Sequence, residues 1–328
     1  MTGNATASPI LEVKGLETHL FTKRGIGRAV AGVSFALKAG ETLGLVGESG
    51  SGKSLTCLSV LRLNPQPASR IVAGQVLFHG EDLLAKSDAE IRHYRGNKIA
   101  MVLQDPMTAL NPVFTIGDQI YEALRLHRGL RGSRLKEVAA ALLGRVRIPK
   151  PEERLSTYPH HFSGGMRQRV VGAIALAGSP SVLIADEPTT ALDVTVQAAY
   201  LDLLKEIQAE EGLGILFITH DFAVVARMCD RVAVMYAGKI VETAPTGTLF
   251  DSPKHPYTEA LLRSVPDVTK RDDRLYSIEG QPPSVFSPLP GCAFAPRCPY
   301  ADEKCRTIAP PEIAVGPQQS VSCWRYAS

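Results

Sequence analysis

A chain of 328 residues with 45% hydrophobic and 21% charged content has the composition of a packed globular protein, which excludes a disordered or fibrous one. The net charge of +3 is small and no basic run stands behind it, so nucleic acid is not an expected partner. The opening MTGNATASPILEVKGL lacks the basic-then-apolar order of a secretory signal, and no apolar stretch approaches the roughly 18 residues that span a bilayer, so a soluble, cytosolic protein is expected.

From Leu11 to about Thr243, short apolar runs (ETLGLVG, KIAMVLQ, SVLIADE, GILFITH) alternate with helical patterns. That alternation predicts an α/β domain with a mainly parallel sheet covered on both faces. The first of these runs leads into GESGSGKS, formed by Gly47, Glu48, Ser49, Gly50, Ser51, Gly52, Lys53 and Ser54. A strand before it and a helix after it are the context of a phosphate-binding loop. Its glycines let backbone N–H groups close around phosphates, Lys53 can reach the β and γ phosphates, and the Ser54 hydroxyl can hold Mg²⁺. By itself the motif indicates a nucleotide, the alternative being a glycine-rich turn with a chance lysine. Further on, the apolar run SVLIADE ends in two carboxylates. Asp186 is placed to hold Mg²⁺ through water, and Glu187 to polarise an attacking water.

Beyond Thr243 the composition shifts: 13 of the 23 prolines fall from Pro245 onward. Proline cannot continue a helix or occupy a central strand. The domain boundary is therefore drawn at residue 245, with an extension over 246–328 that contains a short helix in YTEALLRSV and a loop-rich tail. Cys57 and Cys229 lie in apolar settings and read as core residues. Cys292, Cys298, Cys305 and Cys323 gather in the tail, and in a reducing compartment such a cluster points to metal ligation rather than disulfides. Their spacing, with 5, 6 and 17 residues between successive cysteines, is not the paired two-residue spacing of a zinc ribbon. Four thiolates can still bind zinc, and spacing alone favours zinc slightly because structural four-cysteine zinc sites are common, with an iron–sulfur cluster and unligated thiols the alternatives.

FSGGMRQR, shortly before the SVLIADE run, resembles the signature sequence of ATP-binding cassette proteins, and the phosphate loop and paired carboxylates fall in that family's order. The resemblance implies a phosphate-loop ATPase fold with a helical subdomain at about 105–165, where FTIGDQIYEALRLHRGL and SRLKEVAAALLGRV are helical in pattern. It assigns Gln104 to the Mg²⁺ and coupling loop, Asp193 to a dimer-contact loop and His220 to the γ-phosphate. Phe21 is the candidate for stacking on adenine, a plain core role being the alternative. ATP would be sandwiched between two cassettes, with Ser163, Gly164 and Gly165 presenting a hydroxyl, N–H groups and a helix N-terminus to the nucleotide held by the partner.

The flanks narrow the resemblance. FSGGMRQRV with Met166, DEPTTALDVTVQ, LQDPMTALNP, HPYTEALLRSVP and GCAFAPRCPYADEKC together resemble one ATPase subunit of the dipeptide and oligopeptide importers, over nearly the whole chain. That group implies two transmembrane permeases, a substrate-binding protein and a second ATPase subunit, often non-identical. The protein would then be peripheral at the cytoplasmic face of the cell membrane. It also implies a [4Fe–4S] cluster on the four tail cysteines, with Zn²⁺ the alternative. Within the same machinery, nickel chelates, opines, glutathione or peptide antibiotics are alternative cargoes. A ribosome-associated cassette ATPase with an iron–sulfur cluster is a further alternative, as is a DNA-repair ATPase with structural zinc. The tail is expected to fold on its ligated group and to be separable from the nucleotide site, so that Cys298→Ser leaves nucleotide binding largely intact.

Overall fold

The structure, a computed structural model, describes residues 8–103, 105–190, 192–265 and 276–327. It divides into two compact units, one comprising Met1–Leu11, Leu37–Glu41 and Ala85–Ile218, the other Glu12–Ala36, Thr42–Leu84 and Thr219–Ser328.

In the first unit the strands Ile99–Val102, Val182–Asp186 and Gly214–Thr219 run parallel, with Ile99 opposite Val182 and Val182 opposite Gly214. Every residue of the last two strands is buried. Strands covered on both faces have no wet side to mark with polar residues, hence the nearly unbroken apolar runs. Four longer helices accompany them: Ile116–Arg128, Ser133–Arg145, Gly164–Leu176 and Val194–Glu211. The first opens with a reciprocal cap, the Thr115 hydroxyl accepting from the Asp118 N–H at 3.1 Å and the Asp118 carboxylate from the Thr115 N–H at 3.2 Å. It stops at Gly129, whose φ of 63° closes the helix at little cost. Of these, Ile116–Arg128 and Ser133–Arg145 lie between residues 105 and 165.

The second unit holds two groups of strands. One is a four-stranded sheet in the order Gly25–Leu37, Leu11–Thr22, Ser69–Phe78, Glu81–Asp82. The other runs Ile313–Gly316, Gln319–Val321, Lys239–Pro245, Arg231–Tyr236, Thr42–Val46, antiparallel until the last pair, which is parallel with Leu43 opposite Arg231. The parallel pairing expected of an α/β fold is found between Thr42–Val46 and Arg231–Tyr236 here and along the three strands of the first unit, while Lys239–Pro245 and the hairpin beyond it add antiparallel strands.

The tail is not all loop either. Its hairpin Ile313–Gly316/Gln319–Val321 adds to the edge of Lys239–Pro245, with Val321 opposite Glu242. The Glu242 carboxylate is 1% exposed and accepts from the Lys254 and His255 N–H groups, both at 2.8 Å, and from Gln319 Nε2 at 3.2 Å. One buried acceptor thus ties three segments together. Beside it, Tyr236, Tyr257 and Phe294 form an aromatic core with ring centroids 4.5 to 5.3 Å apart. His255 joins this core at 5.9 Å from Phe294, and burial pushes its pKa down to about 3. Its neutral Nδ1 accepts from the Tyr257 N–H and caps the helix Pro256–Arg263.

Among the described residues no helix is long and apolar enough to cross a membrane.

Candidate functional site: a phosphate loop clasped by the cysteine extension

In the second unit the buried strand Thr42–Val46 runs into residues 47–52, and the helix Lys53–Val60 starts immediately after them. Two glycines are required by space as well as by conformation. A Cβ on Gly47 (φ 153°) would stand 2.1 Å from the Met235 carbonyl oxygen, and one on Gly52 (φ 105°) 2.4 Å from that of Ala29. Backbone packed this closely fixes the loop's path and leaves its N–H groups to face a ligand. Lys53 is 6% exposed, and its ammonium donates to the carbonyls of Gly47 at 2.7 Å and Glu48 at 3.0 Å. Ser49, Gly50 and Ser54 are exposed, while the Ser51 hydroxyl is buried with no hydrogen-bond partner among the described residues. Cys57 and Cys229 are buried, as their apolar settings predict.

Glu48 is held at both ends by the C-terminal part of the chain. Its N–H donates to the Tyr257 hydroxyl at 2.8 Å, and its carboxylate takes both arms of Arg297, Nη1 to Oε2 at 2.7 Å and Nη2 to Oε1 at 3.0 Å. The Arg297 side chain is 4% exposed. Its hydrogen bonds to Glu48 raise its pKa, so it is charged at every accessible pH. Sequence reasoning places Glu48 in the loop but misses Arg297, Tyr257 and Glu242. Tyr257 and Arg297 lie within the importer-type motifs HPYTEALLRSVP and GCAFAPRCPYADEKC, but nothing in those motifs points to Glu48, and Arg297 is 249 residues from its partner.

The four tail cysteines line one pocket in this unit, together with Phe294 and Trp324. Their backbones also meet: the Cys292 N–H donates to the Cys305 carbonyl at 2.7 Å, and Asp302 caps the short helix that carries Cys305. Burial raises the thiol pKa values, that of Cys292 to about 11. Four soft donors around an apolar pocket suit a thiolate-bound metal or cluster and no hard cation. Among the described residues, however, no three His, Cys, Asp or Glu side chains are disposed around one metal ion. Phe21, half-buried at the end of Leu11–Thr22, has the Arg70 guanidinium over its ring, 5.1 Å from the centroid. His220 is exposed, just past Thr219.

The first unit carries the other candidate residues. Asp186 ends a buried strand and is 4% exposed. Glu187 follows with φ 45°, a left-handed conformation that costs a non-glycine residue about 1–3 kcal/mol and turns the second carboxylate out of the strand's alternation. Its N–H donates to the Ile218 carbonyl, and its Oε2 accepts from the Thr190 hydroxyl at 3.1 Å. The Ser163 hydroxyl caps the helix Gly164–Leu176 by accepting from the Met166 N–H at 3.3 Å. A Cβ on Gly164 would meet nothing within 4 Å, whereas one on Gly165 would stand 2.4 Å from Val196 Cγ1. Val196 lies in the helix Val194–Glu211, which Asp193 caps by accepting the Val196 N–H at 2.9 Å. The signature and the Asp193 loop are therefore neighbours, locked together at Gly165. Gln104 lies outside the described residues.

Residues 30–190 match the ABC transporter family, and residues 241–305 match the oligopeptide/dipeptide transporter C-terminal region. The chain is 51% identical over 326 residues to a probable peptide ABC transporter ATP-binding protein of Sinorhizobium fredii, covering 99% of this chain and 97% of that protein. It is 48% identical over 315 residues to the dipeptide transport ATP-binding protein of Bacillus subtilis, covering 96% and 94% respectively. A dimeric ATP-binding cassette solved with ADP and phosphate in a post-hydrolysis state superposes with a TM-score of 0.64 at 26% identity, covering 72% of this chain and 98% of that one. A part of an ABC transporter complex from Clostridium perfringens superposes with a TM-score of 0.63, again at 26% identity, covering 75% and 92%. With the cassette fold, its phosphate loop and a full-length identity near one half, the chain belongs to the ATP-binding cassette family, among its peptide-transporter ATP-binding proteins.

Proposed function

We propose that this chain binds and hydrolyses ATP to power an importer of dipeptides and oligopeptides. The observation that carries this reading is the presence in one chain of the cassette and of the C-terminal region found in oligopeptide and dipeptide transporters. On the second unit, residues Gly47 to Lys53 would wrap the phosphates, with Lys53 moving from its carbonyl partners to the phosphate oxygens and His220 contacting the γ-phosphate. By the family resemblance Ser54, Asp186 and Gln104 would serve Mg²⁺, which would neutralise charge on the phosphates. Glu187 would accept the proton of the attacking water. Phe21 would stack on adenine.

A second ATPase subunit would complete the composite site. Ser163 and Gly164 are exposed, and so is Val194, at 82%, beside Asp193, which supports a partner docking on this face. Two permeases and a substrate-binding protein would complete the importer, with this subunit peripheral on the cytoplasmic face of the membrane. Residues 1–245 would form the cassette and 246–328 the importer-type extension.

Cys292, Cys298, Cys305 and Cys323 would hold a [4Fe–4S] cluster, with Zn²⁺ the alternative. Their convergence on one apolar pocket supports either group. Ligation would offset the ordering entropy of a tail with few periodic apolar residues. Anaerobically purified protein should be brown and contain iron and acid-labile sulfide; colourless protein with stoichiometric zinc, made with an intact cluster-assembly system, would rule the cluster out. For the cargo, the binding protein that copurifies should bind dipeptides and oligopeptides on titration, and binding of an unrelated solute instead would overturn the peptide reading.

A further inference from the structure

We propose that Arg297 is a positioning residue for the phosphate loop, and that through it the four-cysteine extension sets the affinity of the loop for nucleoside triphosphate. This rests on residues 47–54 being the nucleotide site.

The geometry is that of a clamp. Arg297 ends the single turn Ala295–Arg297, with Cys292 three residues before that turn and Cys298 immediately after it. A guanidinium has five N–H donors in a fixed plane. Nη1 reaches Glu48 Oε2 at 2.7 Å and the Tyr236 hydroxyl at 3.3 Å. Nη2 reaches Glu48 Oε1 at 3.0 Å and the Ile278 carbonyl at 3.3 Å, and Nε reaches the Glu279 carbonyl at 3.0 Å. Five donors and five acceptors leave the side chain no slack, and it also packs 5.8 Å from the Tyr236 centroid and 5.9 Å from that of Phe294.

At the other end, Glu48 is a residue of the loop itself. With its carboxylate on Arg297, its N–H on Tyr257 and its carbonyl on Lys53, the backbone at the start of the loop is tied on every side. A bidentate charge pair whose guanidinium is enclosed is stiff, and losing the carboxylate leaves the buried charge stranded. The loop would then drift from the geometry that aims its N–H groups at phosphate.

This changes the expectation that the tail is separable from the nucleotide site. Whatever orders Cys292 and Cys298 also orders the residue that holds Glu48. Loss of the ligated group, by oxidation or mutation, should reach the loop without touching any residue of residues 47–54.

The test is the affinity of the full-length protein for a non-hydrolysable ATP analogue with Mg²⁺, for Arg297→Met, Glu48→Gln, Cys298→Ser and their doubles. Arg297→Met should weaken binding about tenfold or more, the order of effect of losing an outer-shell partner that orients a ligand-binding group. Arg297→Met with Glu48→Gln should bind within about twofold of the weaker single variant, because the two disrupt one interaction. Cys298→Ser should weaken binding in the wild-type background and add less than about twofold on top of Arg297→Met. Should Arg297→Met fail to fold, Arg297→Lys, which keeps the charge but not the fork, should melt close to wild type yet bind more weakly. Wild-type affinity in Arg297→Met or in a folded Arg297→Lys, or additive effects of Arg297→Met and Cys298→Ser, would overturn the proposal. Lys53→Ala separates the two readings: if it binds the analogue normally, the nucleotide site lies elsewhere and the fault is not with Arg297.

Discussion

At the residue scale, Glu187 and Gly164 carry the sharpest consequences. Glu187→Gln keeps the shape of the side chain and an oxygen that can accept from the Thr190 hydroxyl, but removes the base. ATP binding should persist while turnover falls by about 10²-fold or more, and turnover within a few-fold of wild type would remove Glu187 from the role. Gly164 and Gly165 are adjacent but should behave as opposites. Gly165→Ala pushes a methyl against Val196 and should cost about 1–3 kcal/mol in denaturant unfolding. Gly164→Leu meets open space and should leave stability within about 0.5 kcal/mol. It should also leave this subunit's own nucleotide binding intact and block hydrolysis at the nucleotide held by its partner, which a mixed complex with one mutant subunit can report. In the sequence Glu187 is readable as the second of two carboxylates closing an apolar run, and Gly164 and Gly165 only through the resemblance of FSGGMRQR to the cassette signature. Arg297 was not: its partner is 249 residues away, and nothing local distinguishes it from any arginine between two cysteines.

At the scale of elements, legibility followed burial. The strands Val182–Asp186 and Gly214–Thr219 stand out in the sequence because they are buried on both faces. The hairpin Ile313–Gly316/Gln319–Val321 stayed hidden because its strands have only 4 and 3 residues, amid proline. What fixes it is the long-range acceptor Glu242 rather than local pattern. Glu242→Ala strands the buried His255 N–H, the part-buried Lys254 N–H and the Gln319 amide, and should destabilise the second unit by about 2–4 kcal/mol. Limited proteolysis should then cut the tail first, and a tail as resistant as wild type would mean that Glu242 does not anchor it.

At the scale of the molecule, the phosphate loop and the extension form one device in the second unit: the loop packs against Met235 and Ala29 and is held by Tyr257 and Arg297. Nucleotide chemistry on this scaffold would be harnessed to peptide import. The ATPase rate of the complex purified with its permeases in lipid, with and without its binding protein loaded with a dipeptide, tests this directly. A low basal rate, stimulation by the loaded binding protein and loss of both on Glu187→Gln are expected. A rate that is unchanged by the loaded binding protein, or that survives Glu187→Gln, would contradict it.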